Sequence, residues 1–341
     1  MSILSLFVES LVNKWSMLPE TVVDLTGRTV VITGSNVGLG FEAAKRFYAM
    51  NPARLIIAVR TVSKGEEAKR ILLEQEKKPS PYGTVNNETK VEVWSVDLSS
   101  FESVKQFAKR CESELDRIDV FLANAAVQNV KWTTTKDGWE SDLQTNVLST
   151  FLLAALVAPI LSKTAQLPAP SSGSTLKPHL VIVASDTHYF APLRAYTAPS
   201  ILAAMNDEAQ YIQGDRYPDT KAMDIVLTKQ LTKNPILKDV IVCSVNPGFC
   251  RSELLRDMSS IARGLLYGLF ARTTLEGSKT YMWASLSNDI PSGAYTSSCQ
   301  VTPTKGVISG KDSEKISLQL WKEVADVLVK QAPQTETIWK F

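Results

Sequence analysis

The sequence predicts an α/β fold in which one doubly wound parallel sheet carries helices on both faces. Short runs of apolar, β-branched residues alternate along the 341 residues with longer segments of helical period, which is the pattern of a buried parallel sheet. A glycine-rich segment also stands between the first such run and the first helical segment. Because no internal repeat breaks the alternation, we expect a single continuous domain.

Six segments have the length and composition of buried strands, and we expect about seven strands in all. The six are 29–33, 55–59, 91–96, 120–123, 180–184 and 240–245. Helical periodicity predicts helices between and after them. The predicted helices are 38–50, 63–76, 100–116, 139–162, 217–233, 275–286 and 313–331.

The chain is expected to divide into an N-terminal helical extension, 1–20, and one large domain, 21–341. Within the extension, residues 2–12 form a weak amphipathic pattern, which leaves open a helix packed on the domain or one that contacts a membrane. The loop 163–178 is rich in Pro, Ser and Gly and is interpreted as a surface insertion. The apolar stretch Thr150–Leu161 contains Pro159 and is too short to span a membrane, so we expect a buried helix and no membrane span.

Composition excludes several classes of protein. Lys and Arg number 37 against 35 Asp and Glu, and the two signs are interleaved, so no basic surface argues for nucleic acid. The two histidines, His179 and His188, have no metal-ligand spacing, and we expect no metal. The cysteines form no C-x-x-C pair, which favours reduced thiols and a cytoplasmic protein; they are Cys111, Cys243, Cys250 and Cys299.

The glycine-rich segment follows the first predicted strand and reads Thr33-Gly34-Ser35-Asn36-Val37-Gly38-Leu39-Gly40. A dinucleotide pyrophosphate needs a backbone free of Cβ atoms and a helix N-terminus whose N–H groups attract anions. Its position at the first strand-to-helix junction favours a Rossmann-type cofactor site over a plain tight turn. The spacing G-x-x-x-G-x-G differs from the commoner G-x-G-x-x-G.

With this spacing the chain resembles the short-chain dehydrogenase/reductase family over about residues 25–300. The motifs that carry the resemblance occur in the family's order, and they are Asn124-Ala125-Ala126, Asn146, Ser185, Tyr217-x-x-x-Lys221 and Asn246-Pro247-Gly248. Ala126 departs from the family, which usually has glycine there. The long interval between Ser185 and Tyr217 is similar to that of the retinol-dehydrogenase-like branch and of fungal tailoring reductases, and implies an inserted loop on the substrate side.

The resemblance implies a set of cofactor-binding residues. They are Gly34, Ser35, Asn36, Gly38, Leu39, Gly40, Arg60, Lys64, Asp97, Leu98, Asn124, Ala125, Tyr217, Lys221, Pro247, Gly248 and Ser252. By resemblance Asp97 and Leu98 contact adenine. The alternative is that Asp97 or Ser99 caps the following helix, and both roles can hold together.

Arg60 predicts that the cofactor is NADP(H). It ends the second predicted strand, where an acidic residue would bind a ribose 2′-OH and an arginine favours a 2′-phosphate. A guanidinium can pair with phosphate through two hydrogen bonds, and no acid stands beside Arg60 in the sequence. The alternative is a solvated charge at the end of a strand.

Tyr217 and Lys221 lie four residues apart in a helical segment and therefore share one face. A phenol with an ordinary pKa of about 10 becomes a useful acid or base when a nearby ammonium favours its ionised form. We therefore expect Tyr217 to be the general acid/base, with Lys221 lowering its pKa and, by resemblance, holding the nicotinamide ribose.

Ser185 is expected to donate a hydrogen bond to the substrate oxygen, and Asn146 resembles the family residue that orders a water next to Lys221. An alternative role stays open for each of three residues. Ser185 could cap a strand end, Asn146 could be an amide on a helix surface, and Lys221 could be a solvated charge. His188 is expected to be a substrate-pocket or satisfied polar residue, not a second base.

These features predict an NADP(H)-dependent oxidoreductase that acts on the carbonyl or alcohol of a lipophilic small molecule, as a ketoreductase in secondary metabolism. The alternatives are a non-redox cofactor-binding scaffold, or an enzyme of this fold that catalyses dehydration or cyclisation. The sequence leaves a homodimer open.

Aromatic and aliphatic residues on the carboxyl side of the sheet are expected to wall a large apolar pocket. In the loop 186–216 they are Tyr189, Phe190, Tyr196 and Tyr211, and in segment 253–271 they are Ile261, Leu265, Leu266, Tyr267, Leu269 and Phe270. Ordinary core or dimer packing is the alternative for each of them.

Overall fold

The computed structural model describes residues 17–74, 88–170, 175–250 and 271–341. Some of the sequence predictions therefore lie outside the described residues. These are the amphipathic helix at 2–12 and most of the extension 1–20, the cofactor residue Ser252, and nearly all of the apolar segment 253–271.

Within the described residues the sheet has eight strands in the order β3-β2-β1-β4-β5-β6-β7-β8. The pairs from β3 to β7 are parallel and only β8 runs antiparallel, so the predicted doubly wound parallel fold is confirmed. The strands are β1 Thr29–Thr33, β2 Arg54–Val59, β3 Lys90–Ser95, β4 Val120–Ala123, β5 His179–Val183, β6 Ile241–Asn246, β7 Tyr295–Ser297 and β8 Gln300–Val301.

The last two strands were not among the predicted segments. β7 has three residues and β8 has two, so neither shows a recognisable apolar alternation. They are joined by Ser298 and Cys299, whose φ angles of 51° and 58° fit a two-residue hairpin turn. This turn contains no Asn-Gly or Asp-Gly pair that would have indicated it.

Among the described residues the helices follow the predicted segments closely, apart from two short ones, Ile201–Met205 and Glu336–Trp339, which were not predicted. They are α1 Gly38–Tyr48, α2 Val62–Glu74, α3 Phe101–Glu114, α4 Ser149–Ala165, α5 Ile201–Met205, α6 Arg216–Leu231, α7 Thr274–Leu286, α8 Ser313–Gln331 and α9 Glu336–Trp339. The segment predicted as a helix over 139–162 differs, because a π-helical turn, Leu143–Leu148, precedes α4. The Glu140 carboxylate accepts hydrogen bonds from the N–H groups of Asp142 and Leu143 and so holds the start of this turn.

Two apolar layers cover the sheet. One contains side chains of α3, α4, α6 and α8, and the other contains side chains of α1, α2 and α7. Because β1 and β4 are neighbours, the chain reverses its winding direction there and opens a crevice at the carboxyl ends of the strands.

The segment Leu143–Ala165 is long and apolar enough to cross a membrane by composition alone, but 78% of its most apolar window is buried inside the fold. This is the environment of a core helix, which agrees with the buried helix expected from Thr150–Leu161. The C-terminal helices α8 and α9 pack against α6 and α4.

The interval between Ser185 and Tyr217 is a structured insertion. It contains α5 and three short 3₁₀ turns, which are Asp186–Phe190, Arg194–Thr197 and Glu208–Gln210. The insertion begins at the carboxyl end of β5 and returns to the start of α6, so it borders the crevice.

Candidate active site

The glycine-rich turn brings α1 close to the ends of β1 and β4. Gly34 has a φ of 65°, and its N–H donates to the Ala58 carbonyl of β2 at 2.8 Å. A Cβ on Gly40 would lie 2.5 Å from both the Gly34 carbonyl oxygen and the Asn124 amide nitrogen. Gly38 has a φ of 60° and would direct a Cβ into open space. The turn therefore needs Gly40 for close packing and Gly38 for backbone conformation.

The first turn of α1 presents its N–H groups without competition. The residue before the helix, Val37, has no side-chain oxygen to accept from them, and the first turn has no acidic residue. Free N–H groups and the helix dipole together favour an anion at this end. The turn thus has the chemistry of a phosphate site.

Asn124 braces the turn from β4. Its side-chain N–H group donates to the carbonyls of Thr33 and Gly34, at 2.9 and 3.1 Å. The Thr33 hydroxyl accepts from the backbone N–H groups of Asn124 and Ala125, both at 3.0 Å. The Tyr281 hydroxyl on α7 donates to the Asn124 side-chain oxygen at 3.1 Å. Asn124 therefore acts on the turn's shape through its side chain.

Tyr217 and Lys221 both lie on α6 and line a cavity of about 410 Å³ that also contains the glycine-rich turn. The Lys221 Nζ lies 5.7 Å from the centre of the Tyr217 ring. The ammonium is buried and donates to the Val183 carbonyl at 2.8 Å and to an Asp224 carboxylate oxygen at 3.0 Å. The alternative of a solvated lysine is thereby wrong.

The pKa of Tyr217 lies above its ordinary value, because burial disfavours the phenolate. Lys221 lowers this pKa, as the sequence led us to expect, but burial and the negative charges of Asp224, Asp186 and Asp142 outweigh it. Burial also disfavours the Lys221 ammonium, yet Asp224 and Tyr217 raise the pKa of Lys221 above 10.5. Near neutral pH the pair is therefore a phenol beside an ammonium.

Ser185 lies at the carboxyl end of β5 and lines the same cavity. Its hydroxyl accepts from the Thr187 N–H at 3.2 Å and donates to an Asp186 carboxylate oxygen at 3.3 Å. The first of these bonds caps the 3₁₀ turn that follows. A capping role and a position facing the cavity are thus both present in one side chain.

Asn146 is buried in the π-helical turn and does not line the cavity. Its side chain exchanges two hydrogen bonds with the Val127 backbone, at 2.8 and 2.9 Å, and donates to the Thr220 hydroxyl at 3.1 Å. These contacts tie the segment after β4 to α6. A helix-surface amide is excluded, and the water-ordering role stays a prediction.

The structure brings most of the predicted cofactor residues together around the cavity. Those that line it are Gly34, Asn36, Gly38, Leu39, Gly40, Asn124, Ala125, Tyr217, Lys221, Pro247 and Gly248. Ser35 does not, because its hydroxyl turns inward and donates to the Ile32 carbonyl at 2.9 Å. Arg60 and Lys64 are exposed beside the ends of β2 and α2, outside the lining.

Asp97 and Leu98 also lie outside the cavity lining. The Asp97 carboxylate accepts from the N–H and hydroxyl of Ser99, at 2.9 and 2.7 Å, and its N–H donates to the Ser103 hydroxyl. The residue that caps α3 is Ser100, so the expectation that Asp97 or Ser99 caps this helix is wrong. The adenine contact stays a prediction.

The aromatic residues of the loop 186–216 that were predicted to wall the substrate pocket do not line this cavity. Tyr211 packs edge-on against Trp132 and donates to the Asn129 carbonyl, whereas Tyr196 packs against the apolar core. The Tyr189 ring packs edge-on against His188. Phe190 is 43% exposed. The loop folds into short turns that point these rings elsewhere, which periodicity could not reveal.

His188 is a satisfied polar residue and not a second base. Its ring Nδ1 lies 2.6 Å from the Ser185 carbonyl oxygen, and the ring packs against Tyr189 and Tyr295. Burial lowers the pKa of His188 to about 4, so the ring is neutral near pH 7.

Several lining residues carried no sequence signal. They are Val127, Gln128, Asp186, Thr187 and Tyr281. Most adjoin a recognised motif and could have been found by extending each motif by one or two residues. Tyr281 could not, because it comes from α7 and belongs to no motif.

Comparisons with known proteins agree with this geometry. A family model described as short chain dehydrogenase matches residues 28–169. The Cryptosporiopsis sp. (strain 8999) protein "Short chain dehydrogenase/reductase dmxR8" is 35% identical over 318 residues, covering 91% of this chain and 93% of the relative. The Alternaria solani protein "Short chain dehydrogenase sol3" is 37% identical over 294 residues, covering 86% and 96%.

Solved structures share the fold at lower identity. L-sorbose reductase from Gluconobacter frateurii, complexed with NADPH and L-sorbose, has a TM-score of 0.58 at 18% identity and covers 81% of this chain and 97% of its own. The Pseudomonas aeruginosa RhlG/NADP active-site complex has a TM-score of 0.56 at 19% identity and covers 80% and 95%.

Proposed function

The chain belongs to the short-chain dehydrogenase/reductase family of oxidoreductases, and we propose that it uses NADP(H) to transfer a hydride between the nicotinamide and the carbonyl or alcohol carbon of a lipophilic small molecule. One observation carries the proposal. Ser185, Tyr217 and Lys221 line a single cavity together with an uncapped helix N-terminus and its glycine-rich turn. A proton donor and a phosphate site in one cavity are what nicotinamide chemistry on a carbonyl requires.

The cavity fits a dinucleotide at the turn. Gly38 leaves open space where a side chain would stand, and the N–H groups of α1 lack a side-chain cap. We assign the pyrophosphate to this turn, the ribose to Tyr217 and Lys221, and the nicotinamide to the loop Pro247-Gly248 and to Ser252. When bound, the nicotinamide supplies or accepts the hydride.

The residues of the chain supply the proton and the hydrogen bonds. In reduction, Tyr217 donates its phenolic proton to the oxygen that becomes the alcohol, and Ser185 stabilises the negative charge that develops on that oxygen. Lys221 lies beside Tyr217, with its Nζ 5.7 Å from the centre of the ring, and its positive charge stabilises the phenolate that forms when Tyr217 gives up its proton. Asn146 fixes the segment after β4 against α6 and so keeps the cavity in shape.

A product assay tests the proposal. The enzyme is incubated with NADPH that carries deuterium at the transferable position and with a panel of lipophilic ketones. Deuterium on the new alcohol carbon is the expected result. A product without deuterium would instead favour dehydration or cyclisation, and tight cofactor binding without any product would favour a scaffold.

Arg60 and Lys64 support the preference for NADP(H). Arg60 follows β2 directly, two residues after Ala58, whose carbonyl holds Gly34 of the phosphate turn. Both side chains are exposed at this corner, and no ion pair involves Arg60 among the residues that the structure describes. A guanidinium without a carboxylate partner is suited to a 2′-phosphate.

Replacing Arg60 with Asp is expected to weaken NADPH binding by about 2 kcal/mol, roughly thirtyfold, and to affect NADH far less, because a charged hydrogen bond is lost and a repulsive charge added. Fluorescence titration with both cofactors measures this. Lys322→Asp makes the same change of charge on the exposed side of α8 and is the control. An unchanged NADPH preference in Arg60→Asp would reject the assignment.

Replacing Gly40 with Ala is expected to weaken binding of either cofactor at least about tenfold, because the new Cβ would displace α1 from the Gly34 carbonyl and Asn124. Gly310→Ala is the matched control, since its Cβ would meet only ordinary contacts of 3.5 Å or more. Calorimetric titration measures both variants. Wild-type affinity in Gly40→Ala would show that the close approach of α1 does not matter for binding.

Substrate class, setting and location are part of the proposal. The resemblance to fungal tailoring reductases supports a ketoreductase of secondary metabolism, and the four separated cysteines support the cytoplasm. We infer a lipophilic substrate from the apolar composition of segment 253–271 and from Val127 and Phe249, which belong to the cavity wall. We retain the division into an extension, 1–20, and one NADP-binding catalytic domain, 21–341.

A further inference from the structure

A buried carboxylate, which belongs to none of the sequence motifs, lies beside Lys221. Asp224 lies three residues after Lys221 on α6, is fully buried, and places one carboxylate oxygen 3.0 Å from the Lys221 Nζ. Its other oxygen has no hydrogen-bond partner among the described residues. A buried carboxylate with one unpaired oxygen is costly to keep, so its contact with Lys221 calls for a functional explanation.

Asp224 limits where the Lys221 ammonium can point. An ammonium has three N–H groups, and here one donates to the Val183 carbonyl at 2.8 Å and one to Asp224. One remains for a partner in the cavity that Lys221 lines. β5 and α6 together therefore set the direction of that last N–H group.

Asp224 also cancels most of the charge that Lys221 presents to Tyr217. An ion pair buried at 3.0 Å has almost no net charge, so the phenolate of Tyr217 gains less from Lys221 than it would from a lone ammonium. Two more carboxyl groups, from other elements, act on Tyr217: Asp186 after β5 and Asp142 before the π-helical turn. Both act in the same direction as Asp224 on the pKa of Tyr217.

We propose that Asp224 is a positioning residue that holds the Lys221 ammonium in place and, through its negative charge, keeps Tyr217 protonated to higher pH than Lys221 alone would allow. The inference rests on the proposed function, in which Tyr217 is the proton donor for carbonyl reduction. Its consequence is a wider alkaline range in which the enzyme can reduce a carbonyl.

The charge of Asp224 is present in the relevant range of pH. Burial raises the pKa of its carboxyl to about 6 although Lys221 lowers it, so the group is ionised at neutral and alkaline pH. Tyr217 titrates in the alkaline range. Removing the negative charge of Asp224 should therefore change the titration of Tyr217 in the alkaline range.

Asp224→Asn separates the two effects, because an amide oxygen can still accept from Lys221 while the negative charge is gone. We expect the Tyr217 pKa to fall by about one unit, since one nearby charge shifts a pKa by that order. The alkaline limit of kcat/KM for reduction should fall by the same amount. Tyr217 is followed by NMR in protein labelled with ¹³C at the tyrosine ring carbon that bears the hydroxyl, and Tyr217→Phe assigns its signal.

Asp219→Asn is the matched control. Asp219 is a buried carboxyl on the same helix, but it accepts from the Leu193 N–H at 2.7 Å and does not contact Lys221. Its substitution should leave the titration of Tyr217 unchanged. If Asp224→Asn does not fold, Asp224→Ser is smaller and equally neutral, and the same fall in pKa is expected.

An unchanged Tyr217 titration in a folded neutral variant overturns the inference. The NMR titration needs no substrate, so the two proposals can fail separately. A shifted Tyr217 in a protein that transfers no hydride would reject the proposed function and keep the electrostatic effect of Asp224. Hydride transfer by a neutral variant in which the Tyr217 pKa is unchanged would keep the proposed function and reject the electrostatic effect of Asp224.

Discussion

Replacing Tyr217 with Phe is expected to remove nearly all turnover while keeping the fold and most of the cofactor affinity, since Lys221 and the glycine-rich turn remain. The substitution deletes one hydroxyl and keeps the ring that lines the cavity. General acid/base groups typically contribute about 10²–10⁴-fold to rate, so kcat should fall by about that factor. Single-turnover hydride transfer measures the loss, and cofactor titration and circular dichroism check binding and fold.

Tyr211→Phe is the control for this experiment. Its hydroxyl donates to the Asn129 carbonyl at 3.3 Å, and its ring lies outside the cavity lining, so its loss should change turnover little. Hydride transfer close to the wild-type rate in Tyr217→Phe would require a different proton donor. This result would not affect the proposed phosphate site, but the proton-donor role would have to be assigned to another residue.

Replacing Ser185 with Ala is expected to cost about 3 kcal/mol of transition-state stabilisation, or roughly two orders of magnitude in kcat, because an oriented donor to the developing oxyanion is lost. KM for the cofactor should change little. Steady-state kinetics in the reducing direction test this split between kcat and KM.

Ser185 also caps a 3₁₀ turn, so the control must remove a cap without touching the cavity. Ser200 does this at α5, where its hydroxyl accepts from the Ala203 N–H at 3.1 Å. We expect Ser200→Ala to lower stability slightly and to keep kcat. Equal losses of kcat in both variants would mean that Ser185 acts through the fold of the loop alone.

The sheet was the most predictable part of this protein. The six strands proposed from the sequence match those observed to within one residue at each end, because parallel strands covered on both faces are continuous apolar runs. The glycine-rich turn was equally visible, since its glycines are local features and so is its position between a strand and a helix. The spacing of Tyr217 and Lys221 likewise fixed their common helix face.

The sequence predictions failed where a local pattern did not determine which other elements a side chain would pack against. The aromatic residues of the loop 186–216 have the composition of a pocket wall, yet in the structure they pack on neighbouring turns and on the core. The helix expected over 139–162 contains a π-helical turn, Leu143–Leu148, which the apolar pattern did not indicate. β7 and β8 are too short for any periodicity to develop.

The sequence by itself determined the order of strands and helices along the chain, the glycine-rich turn and the helix that carries Tyr217 and Lys221, because these depend on residues within a dozen positions of one another. Only the tertiary structure decided which side chains meet. Tyr281 reaches Asn124 across 157 residues. Asp224 lies one helical turn from Lys221, but the burial of their ion pair depends on the packing of α6 against β5, which excludes water. Contacts of this kind arise from packing and desolvation, which act between elements and leave no periodic trace in the chain.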